Sequence, residues 1–222
     1  MSKPGFIRKP FRYVFWNAAL ILIGINVLVY LFNQIDPVQV RFLGRLYPRS
    51  QILPSLVPAL FFEYHMYWQV FTYQFVHGSF WHLISNMLGL LIFGVTVERR
   101  IGSKEFLLLY LLTGTLSGIL SLGFYMATGN ITVILLGASG AVFGILLAYA
   151  VLFPRSVIFI WGIIPVPAPI LVLLYAGYEV FNMFARTGGN IAHFTHLGGF
   201  AVAWLYFRLR FGIKPWRVWF NR

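Results

Sequence analysis

The sequence predicts an all-α, polytopic membrane protein built as a bundle of six transmembrane helices. Its mean hydropathy is +0.79 and only 10% of its 222 residues are charged, whereas soluble domains carry about 25% charged residues. Apolar stretches recur along the chain between charged or proline-containing turns, and about 20 apolar residues suffice to cross a bilayer. Basic residues lie mainly at the ends of these stretches, as expected for loops beside a membrane.

Composition also excludes other classes of protein. The formal net charge is +12, but the lysines and arginines flank apolar stretches and form no separate basic region. Because these charges lie at the ends of apolar stretches, including the basic segments at the two ends of the chain, we expect a lipid bilayer, and no nucleic acid, as their partner. The chain contains no cysteine, which excludes disulfide bonds and thiolate chemistry.

We assign the six spans to residues 14–207, preceded by a basic segment, residues 1–13, and followed by a basic tail, residues 208–222. The first apolar run is long and lacks a small-residue cleavage pattern, which predicts a retained helix and not a signal peptide. The predicted spans are residues 14–32, 81–97, 106–127, 139–153, 168–184 and 191–207.

The connections between these spans differ in kind. Residues 33–80 are broken by prolines but rich in leucine and aromatic residues, which predicts a semi-structured loop in the membrane interface. Residues 128–137 return toward the membrane without a helical pattern, and the span after them is short. We expect its helix to begin inside the hydrocarbon region, where irregular backbone must be covered by protein or line a wet cavity. Residues 157–166 are apolar but interrupted by proline, and Gly188-Gly189 predicts a turn.

An even number of spans puts both termini on one side of the membrane. The cytoplasmic side is the one richer in Lys and Arg, and the side away from the termini has only Arg41, Arg45, Arg49 and Arg186. Both termini are therefore predicted to be cytoplasmic. The basic residues on the side of the termini are Lys3, Arg8, Lys9, Arg12, Arg99, Arg100, Lys104, Arg155, Arg208, Arg210, Lys214, Arg217 and Arg222.

Three polar stretches interrupt the apolar segments, at residues 82–86, 137–140 and 193–199. Polar groups inside a membrane are costly and usually functional. Spans two, four and six all descend from the outer side, so His82, Ser139 and His196 are expected at comparable depth in the outer half of the membrane. The sequence thus predicts one polar site built from three spans.

A nucleophile and a base are both available at this site. Ser139 follows Gly137 and starts span four, and a serine hydroxyl becomes nucleophilic when a base takes its proton. His196 is the candidate base, and His193 lies one helical turn earlier on the same face of span six. Small residues favour close packing of these two spans. The small-residue steps are Gly140 with Gly144 and Gly199 with Ala203.

Acyl transfer also needs donors directed at the developing oxyanion. His82 and Asn86 are four residues apart and share one face of span two, and the backbone N–H of Ser139 is a third candidate donor. Gly137 would let the backbone approach closely. No acid is obviously placed to orient a histidine, which favours a Ser–His dyad. Glu179 lies clearly within a span, and we interpret it as a buried helix anchor, with metal ligand or proton carrier as the alternative.

These residues, in this order, resemble the rhomboid family of intramembrane serine proteases, over roughly residues 68–207. Each motif alone is weak, but the set on the expected spans is specific. The motifs are His77-Gly78, His82 with Asn86, Glu98-Arg99-Arg100-Ile101-Gly102-Ser103, Gly137-Ala138-Ser139-Gly140 and His196-Leu197-Gly198-Gly199.

The resemblance implies a six-helix bundle with a water-filled active site open to the outside, in the minimal six-span prokaryotic form. It implies Ser139 as nucleophile, His196 as base, and His82 and Asn86 as oxyanion donors. The histidine directly before Leu-Gly-Gly is the family's base, which leaves His193 a supporting role. We then expect cleavage of single-span transmembrane proteins at a prokaryotic cell (inner) membrane, with no metal and no cofactor.

Two positions depart from the family's pattern. The first loop often carries Trp-Arg, but here Gln69 follows Trp68, so the structural role of that arginine is open. Some members have a tyrosine four residues after the nucleophile that stacks on the catalytic histidine. Phe143 stands there in this chain and can stack without offering a hydroxyl. Gly137, Gly140 and Phe143 are thus expected to support the site.

Several residues keep two interpretations. A transporter or channel for metal ions or protons would use His193, His196 and Glu179, but it leaves the Gly-Ala-Ser-Gly stretch and the His82–Asn86 pair without a role. The loop histidines His65 and His77 are interpreted as interfacial or loop-fixing residues. The aromatic residues of span five are either a substrate gate or ordinary lipid-facing residues; they are Tyr175, Tyr178 and Phe181.

Overall fold

The computed structural model describes residues 9–160, 162–185 and 191–220, with residues 191 and 192 described through their backbone. Helices dominate this part of the chain, as the sequence predicts, and two small β-hairpins are added in the connections. Some of the residues used above fall outside the described ranges. These are Lys3, Arg8, Arg186, the Gly188-Gly189 turn and Arg222.

The first helix, α1, spans Ala18–Ile35 and so begins later than the predicted start at residue 14. The reason is a cap from a distant part of the chain. The Glu98 carboxylate accepts hydrogen bonds from the N–H groups of Ala18 and Ala19, at 2.6 and 2.9 Å. A carboxylate at a helix start pairs N–H groups that the helix leaves free and favours the positive end of its dipole.

The long first connection is more ordered than a semi-structured loop. It contains the antiparallel hairpin of β1 (Gln39–Phe42) and β2 (Arg45–Pro48). Short helical pieces follow, namely α2 (Arg49–Ile52), α3 (Pro58–Glu63), α4 (Gln69–Thr72) and a 3-10 turn (Tyr73–Phe75).

Gln69 fastens this loop from inside. It is fully buried, its Oε1 accepts from the Val57 N–H at 3.1 Å, and its Nε2 donates to the Leu53 carbonyl at 3.1 Å. A neutral amide therefore holds the loop where the family's pattern often has an arginine.

The second span is one continuous helix, Phe80–Ile101. It consists of α5 (Phe80–Gly89), a π-helical turn (Leu90–Gly94) and α6 (Val95–Ile101). Ser79 caps its start, because the Ser79 hydroxyl accepts from the His82 N–H at 3.2 Å. The third span, α7, covers Ser103–Ala127 and is the longest helix in the described residues.

The short fourth span, α8 (Ser139–Leu152), lies at the centre of the bundle, and most of its residues are buried. The last part of the irregular segment before it, residues 133–138, is buried or half-buried by protein, whereas residues 128–132 are exposed. Leu135 exchanges two backbone hydrogen bonds with Leu56 of the first loop, each 2.9 Å long. This pairing satisfies backbone groups that could find no water at that depth.

After α8 the chain forms a second hairpin, β3 (Val157–Ile160) with β4 (Ile164–Pro167), in the proline-interrupted stretch. The remaining helices are α9 (Ala168–Ala185), α10 (Ile191–Tyr206), a π-helical turn (Phe207–Phe211) and α11 (Pro215–Phe220). The last helix docks on α8, because the Trp219 Nε1–H donates to the Ala150 carbonyl at 3.1 Å. The basic tail is thus partly a packed element.

Within the described ranges, four helices are long and apolar enough to cross a membrane: α1, Phe80–Ile101, α7 and α9. The α8 helix is apolar but shorter. The chain is an integral membrane protein by these features, and the count of six spans stays a prediction.

Candidate functional site

Close packing of α8 against α10 positions the centre of the site. A side chain at Gly199 would overlap the carbonyl oxygen of Gly140, so the two backbones touch at this point. The α10 helix also packs against α7, where the buried hydroxyls of Ser121 and Thr195 lie 2.7 Å apart. Gly144 does not share the α8–α10 interface, because it faces Thr113 of α7.

Ser139 and His196 meet across that packed interface. Ser139 is the first residue of α8, and its Oγ lies 2.8 Å from Nε2 of His196. The turn before α8 requires Gly137, whose φ is +118° and whose missing side chain leaves room for the His82 ring. Only glycine adopts such a backbone without strain. The arrangement holds a serine hydroxyl within reach of an imidazole nitrogen that can take its proton.

Phe143 fixes one face of the His196 ring. The two rings are stacked, with centroids 4.2 Å apart and planes inclined by 10°. Phe143 lies one helical turn after Ser139, so the same helix carries the hydroxyl and the ring that holds the histidine. The stacking predicted from the sequence is present, without a hydroxyl on the ring.

The expectation that no acid orients the histidine is wrong. The carboxylate of Glu179, on α9, lies 3.0 Å from Nδ1 of His196 through Oε1 and 2.5 Å from Nδ1 of His193 through Oε2. Glu179 is only 3% exposed, and these contacts explain how a carboxylate is accommodated there. Glu179 is buried and hydrogen-bonded, as the helix-anchor interpretation expects, but its partners are the two histidines of α10.

The sequence contained a signal for this contact. In the predicted topology, Glu179 lies near the end of span five and His196 lies near the start of span six. Consecutive spans run in opposite directions, so the two residues fall at the same depth in the membrane. His193 and His196 are three residues apart, so both rings reach the same side of α10. What the sequence could not show is how closely α9 approaches that side.

His82 and Asn86 line the same cavity as Ser139 and His196, a space of about 440 Å³. Asn86 is 5% exposed, and its Nδ2 donates one hydrogen bond to the His82 carbonyl at 2.8 Å. An amide nitrogen carries two protons, so a second donor remains. The four residues predicted to form the site are therefore brought together around one cavity.

His77 supports the backbone that carries the nucleophile. Its Nε2 lies 3.4 Å from the Ala138 N–H, and its ring packs edge-on against His82 at 5.1 Å. Burial, with His82 close by, lowers the pKa of His77 to about 3, so the ring stays neutral at physiological pH. His65 is exposed and bonds only locally, to the Tyr67 hydroxyl at 2.7 Å.

The aromatic residues of α9 separate into two groups. Tyr175 lines the cavity and contacts Phe143 edge-on, with centroids 5.7 Å apart. Tyr178 and Phe181 are exposed on the outer surface of the helix. Of the three, Tyr175 is the residue placed to touch a molecule in the cavity.

Comparison with known proteins identifies relatives of this chain. Residues 64–212 match the family described as "Rhomboid domain". The protein named "RHOMBOID-like protein 12, mitochondrial" of Arabidopsis thaliana is 34% identical over 145 residues, 60% of this chain and 43% of its own length. "Rhomboid protein 1, mitochondrial" of Saccharomyces cerevisiae is 34% identical over 136 residues, 60% of this chain and 38% of its own.

A third relative has the word protease in its name. "Rhomboid-type serine protease 2" of Emericella nidulans is 32% identical over 129 residues, which is 58% of this chain and 24% of that protein. The chain thus spans about two fifths of the first two relatives and a quarter of the third.

Proposed function

The chain belongs to the rhomboid family, and from this premise we propose that it is an intramembrane serine endopeptidase that cleaves membrane proteins. One observation carries the proposal, namely the Ser139 Oγ at 2.8 Å from His196 Nε2 in a cavity also lined by His82 and Asn86. The family membership and the relative named as a serine protease support the same activity.

The proposed reaction begins with proton transfer. His196 Nε2 takes the Ser139 hydroxyl proton while Oγ attacks the substrate carbonyl carbon, which gives a tetrahedral oxyanion. His196 then gives the proton to the leaving amine, and an acyl-enzyme on Ser139 remains for water to hydrolyse. The Ser139 N–H, His82 and Asn86 donate to the oxyanion, and their hydrogen bonds strengthen as negative charge develops.

Glu179 is proposed as a positioning residue for His196, which extends the dyad expected from the sequence. Its Oε1 lies 3.0 Å from Nδ1, so the carboxylate accepts a hydrogen bond from Nδ1–H and leaves the lone pair of Nε2 free toward Ser139. A buried carboxylate in this position also stabilises the imidazolium that forms during proton transfer. His193 shares the carboxylate and belongs to the supporting structure.

The proposed substrates are single-span transmembrane proteins. A helix in lipid keeps its amide groups paired and shields them from attack, so cleavage requires a segment that unwinds near the outer surface. Helix-breaking or small residues near the top of the span would permit this, and the family resemblance adds a small residue just before the cut. Replacing Gly or Pro of a cleaved span with Leu is expected to slow cleavage.

The proposed setting is a prokaryotic cell (inner) membrane with both termini in the cytoplasm. Residues 14–207 would form the six-span protease domain, between the basic segments 1–13 and 208–222. The excess of basic residues on the side of the termini supports this orientation. Reporter fusions at either terminus test this orientation. Activity from a fused reporter that functions only outside the cytoplasm would contradict it.

Cleavage of a single-span substrate by purified variants in detergent tests the activity itself. Ser139→Ala and His196→Ala should each remove all cleavage, and the double variant should be no worse, since the two act as a unit. His193→Ala should keep measurable cleavage. Ser85→Ala is the matched control, because Ser85 lines the same cavity and bonds only to the His82 carbonyl, at 3.1 Å. Cleavage by Ser139→Ala at the wild-type rate would refute the proposal.

A further inference from the structure

Three side chains behind Ser139 form a cluster of metal-ligand type. One ligand atom from each of His193, His196 and Glu179 lies within 4.8 Å of the other two. Nδ1 of each histidine faces the carboxylate, at 2.5 Å for His193 and 3.0 Å for His196. We propose that this cluster is an inhibitory zinc site, in which Zn²⁺ binds reversibly and switches the enzyme off. The inhibition rests on the proposed function, whereas the binding of zinc does not.

The donor set suits zinc. Two imidazole nitrogens and one carboxylate oxygen are ligands that zinc takes in open sites, with a water molecule in the fourth position. Bonds of about 2.0–2.2 Å in tetrahedral geometry put the ligand atoms roughly 3.3 Å apart. The carboxylate now lies 2.5 and 3.0 Å from the two nitrogens, so a modest outward shift of the rings would admit the ion.

The cluster is satisfied without metal, which makes binding reversible in principle. Glu179 accepts a hydrogen bond from each histidine, so no buried polar group of the three is orphaned. Zinc replaces two protons between the same atoms. The side chains of His193 and His196 are 14% and 15% exposed, and His196 borders the cavity, which provides a route for a hydrated ion.

Zinc and catalysis need opposite tautomers of His196. A metal binds imidazole through a lone pair, so zinc on Nδ1 requires the remaining ring proton to sit on Nε2. Nε2 then points a proton at Ser139 and has no lone pair to accept one. Glu179 does the reverse when it accepts a hydrogen bond from Nδ1–H, because the ring proton then stays on Nδ1 and Nε2 keeps its lone pair. One ring therefore cannot serve as zinc ligand and as general base at once.

Zinc binding is measured first, by calorimetric titration of the metal-free chain in detergent, because this readout needs no catalysis. Wild type, Ser139→Ala and the control His65→Gln should bind one ion with the same Kd; His65 is an exposed loop histidine. His193→Gln should raise Kd by at least about 10–100-fold, the range seen when even a residue supporting a ligand is lost. Equal affinity of wild type and His193→Gln, or no binding to wild type, would overturn the site.

Inhibition is measured next, by substrate cleavage at increasing zinc, with each variant referred to its own zinc-free rate. Zinc should stop cleavage by wild type, and EDTA should restore it. The half-inhibiting concentration should rise for His193→Gln by the factor found for Kd. Inhibition with the same concentration dependence in His193→Gln would place the inhibitory ion elsewhere. If Ser139→Ala still cleaved while zinc bound as expected, the proposed function would fail and the metal site would stand.

The Glu179→Asp variant tests whether misfolding, and not the loss of a ligand, explains a loss of zinc binding. It keeps the carboxylate and the net charge, so it should retain zinc binding, while Glu179→Gln should lose it at an unchanged melting temperature. A carboxamide that bound zinc as well as the carboxylate would exclude Glu179 as a ligand.

Discussion

The α8–α10 pair and the α9 helix both contribute residues to the same cavity, but the two regions differ in how tightly they are packed. Most of α8 is buried, and its backbone touches α10 at Gly140 and Gly199. In α9 only 33% of the span is buried, and large apolar residues cover its outer surface. Ser139 and His196 thus stand on the tightly packed pair, whereas Glu179 is brought in by a helix at the periphery.

This difference separates two tasks of the site. The distance between Ser139 and His196 depends on helices that cannot approach or part without moving the core, because protein interiors are close-packed. The Glu179 carboxylate, proposed to orient His196, depends on a helix with few neighbours, which can shift at lower cost. We infer that separating α8 from α10 lowers activity by about 10²-fold or more, while a shift of α9 alone lowers it less.

The largest expected effect comes from adding one methyl group to the packed interface. In Gly199→Ala the new Cβ overlaps the Gly140 carbonyl oxygen, so α8 and α10 must separate and the Ser139–His196 distance must grow. A misplacement of about 1 Å can cost 10²-fold in rate, and overpacking costs about 1–3 kcal/mol. Cleavage kinetics and thermal unfolding in detergent measure the two losses.

Gly177→Ala is the matched control on α9. Nothing lies within 4 Å of a side chain added at Gly177, so activity should be unchanged. Stability should rise slightly, because alanine favours helix over glycine by up to about 1 kcal/mol. Similar losses in the two variants would break the distinction between the packed pair and the peripheral helix.

Removing the charge of Glu179 should have the next largest effect. Glu179→Gln keeps the shape but can donate to Nδ1, which permits the wrong tautomer of His196. A comparable change in a soluble serine protease costs about 10⁴-fold; we expect a smaller loss in kcat, about 10²-fold, with KM nearly constant. Glu179→Asp should restore part of the rate. A helix anchor without a role in catalysis would instead lower the melting temperature and leave kcat unchanged.

The smallest effect is expected at the third wall of the cavity, on α5. Asn86→Ala removes one of several oxyanion donors, so kcat should fall by roughly 10-fold to 10²-fold with KM nearly constant. Asn86 also bonds to the His82 carbonyl, so the melting temperature is measured in parallel. A large loss of stability with normal kcat would make Asn86 a packing residue and leave the oxyanion to His82 and the backbone.

The sequence predicted those parts of the molecule that depend on local pattern. Hydropathy indicated the helices, and the short apolar run after Gly137 indicated a short helix that starts at Ser139. Features set by distant contacts escaped it. The start of α1 is fixed by Glu98, eighty positions along the chain, and the first loop is fastened by Gln69, whose burial no local pattern reveals.

The site shows the same division. Ser139, His196, His82 and Asn86 carried motif spacing that predicted their meeting, and the structure brings them around one cavity. No local motif marked Glu179, because its partner residues lie on α10. The contact depends on how closely α9 approaches that helix. The signal was its position within an apolar span at the depth of His196, since a lone acid inside a span requires a partner.

The central claim is that Ser139 is a nucleophile activated by His196, and covalent labelling tests it most directly. A fluorophosphonate forms a bond from phosphorus to an activated serine oxygen and releases fluoride. Mass spectrometry of the labelled chain should find the adduct on Ser139 in wild type and none in Ser139→Ala or His196→Ala, while Ser85→Ala labels normally. Two results would contradict the account. One is folded protein that cleaves substrate while Ser139 stays unlabelled, and the other is an adduct that forms in His196→Ala at the wild-type rate.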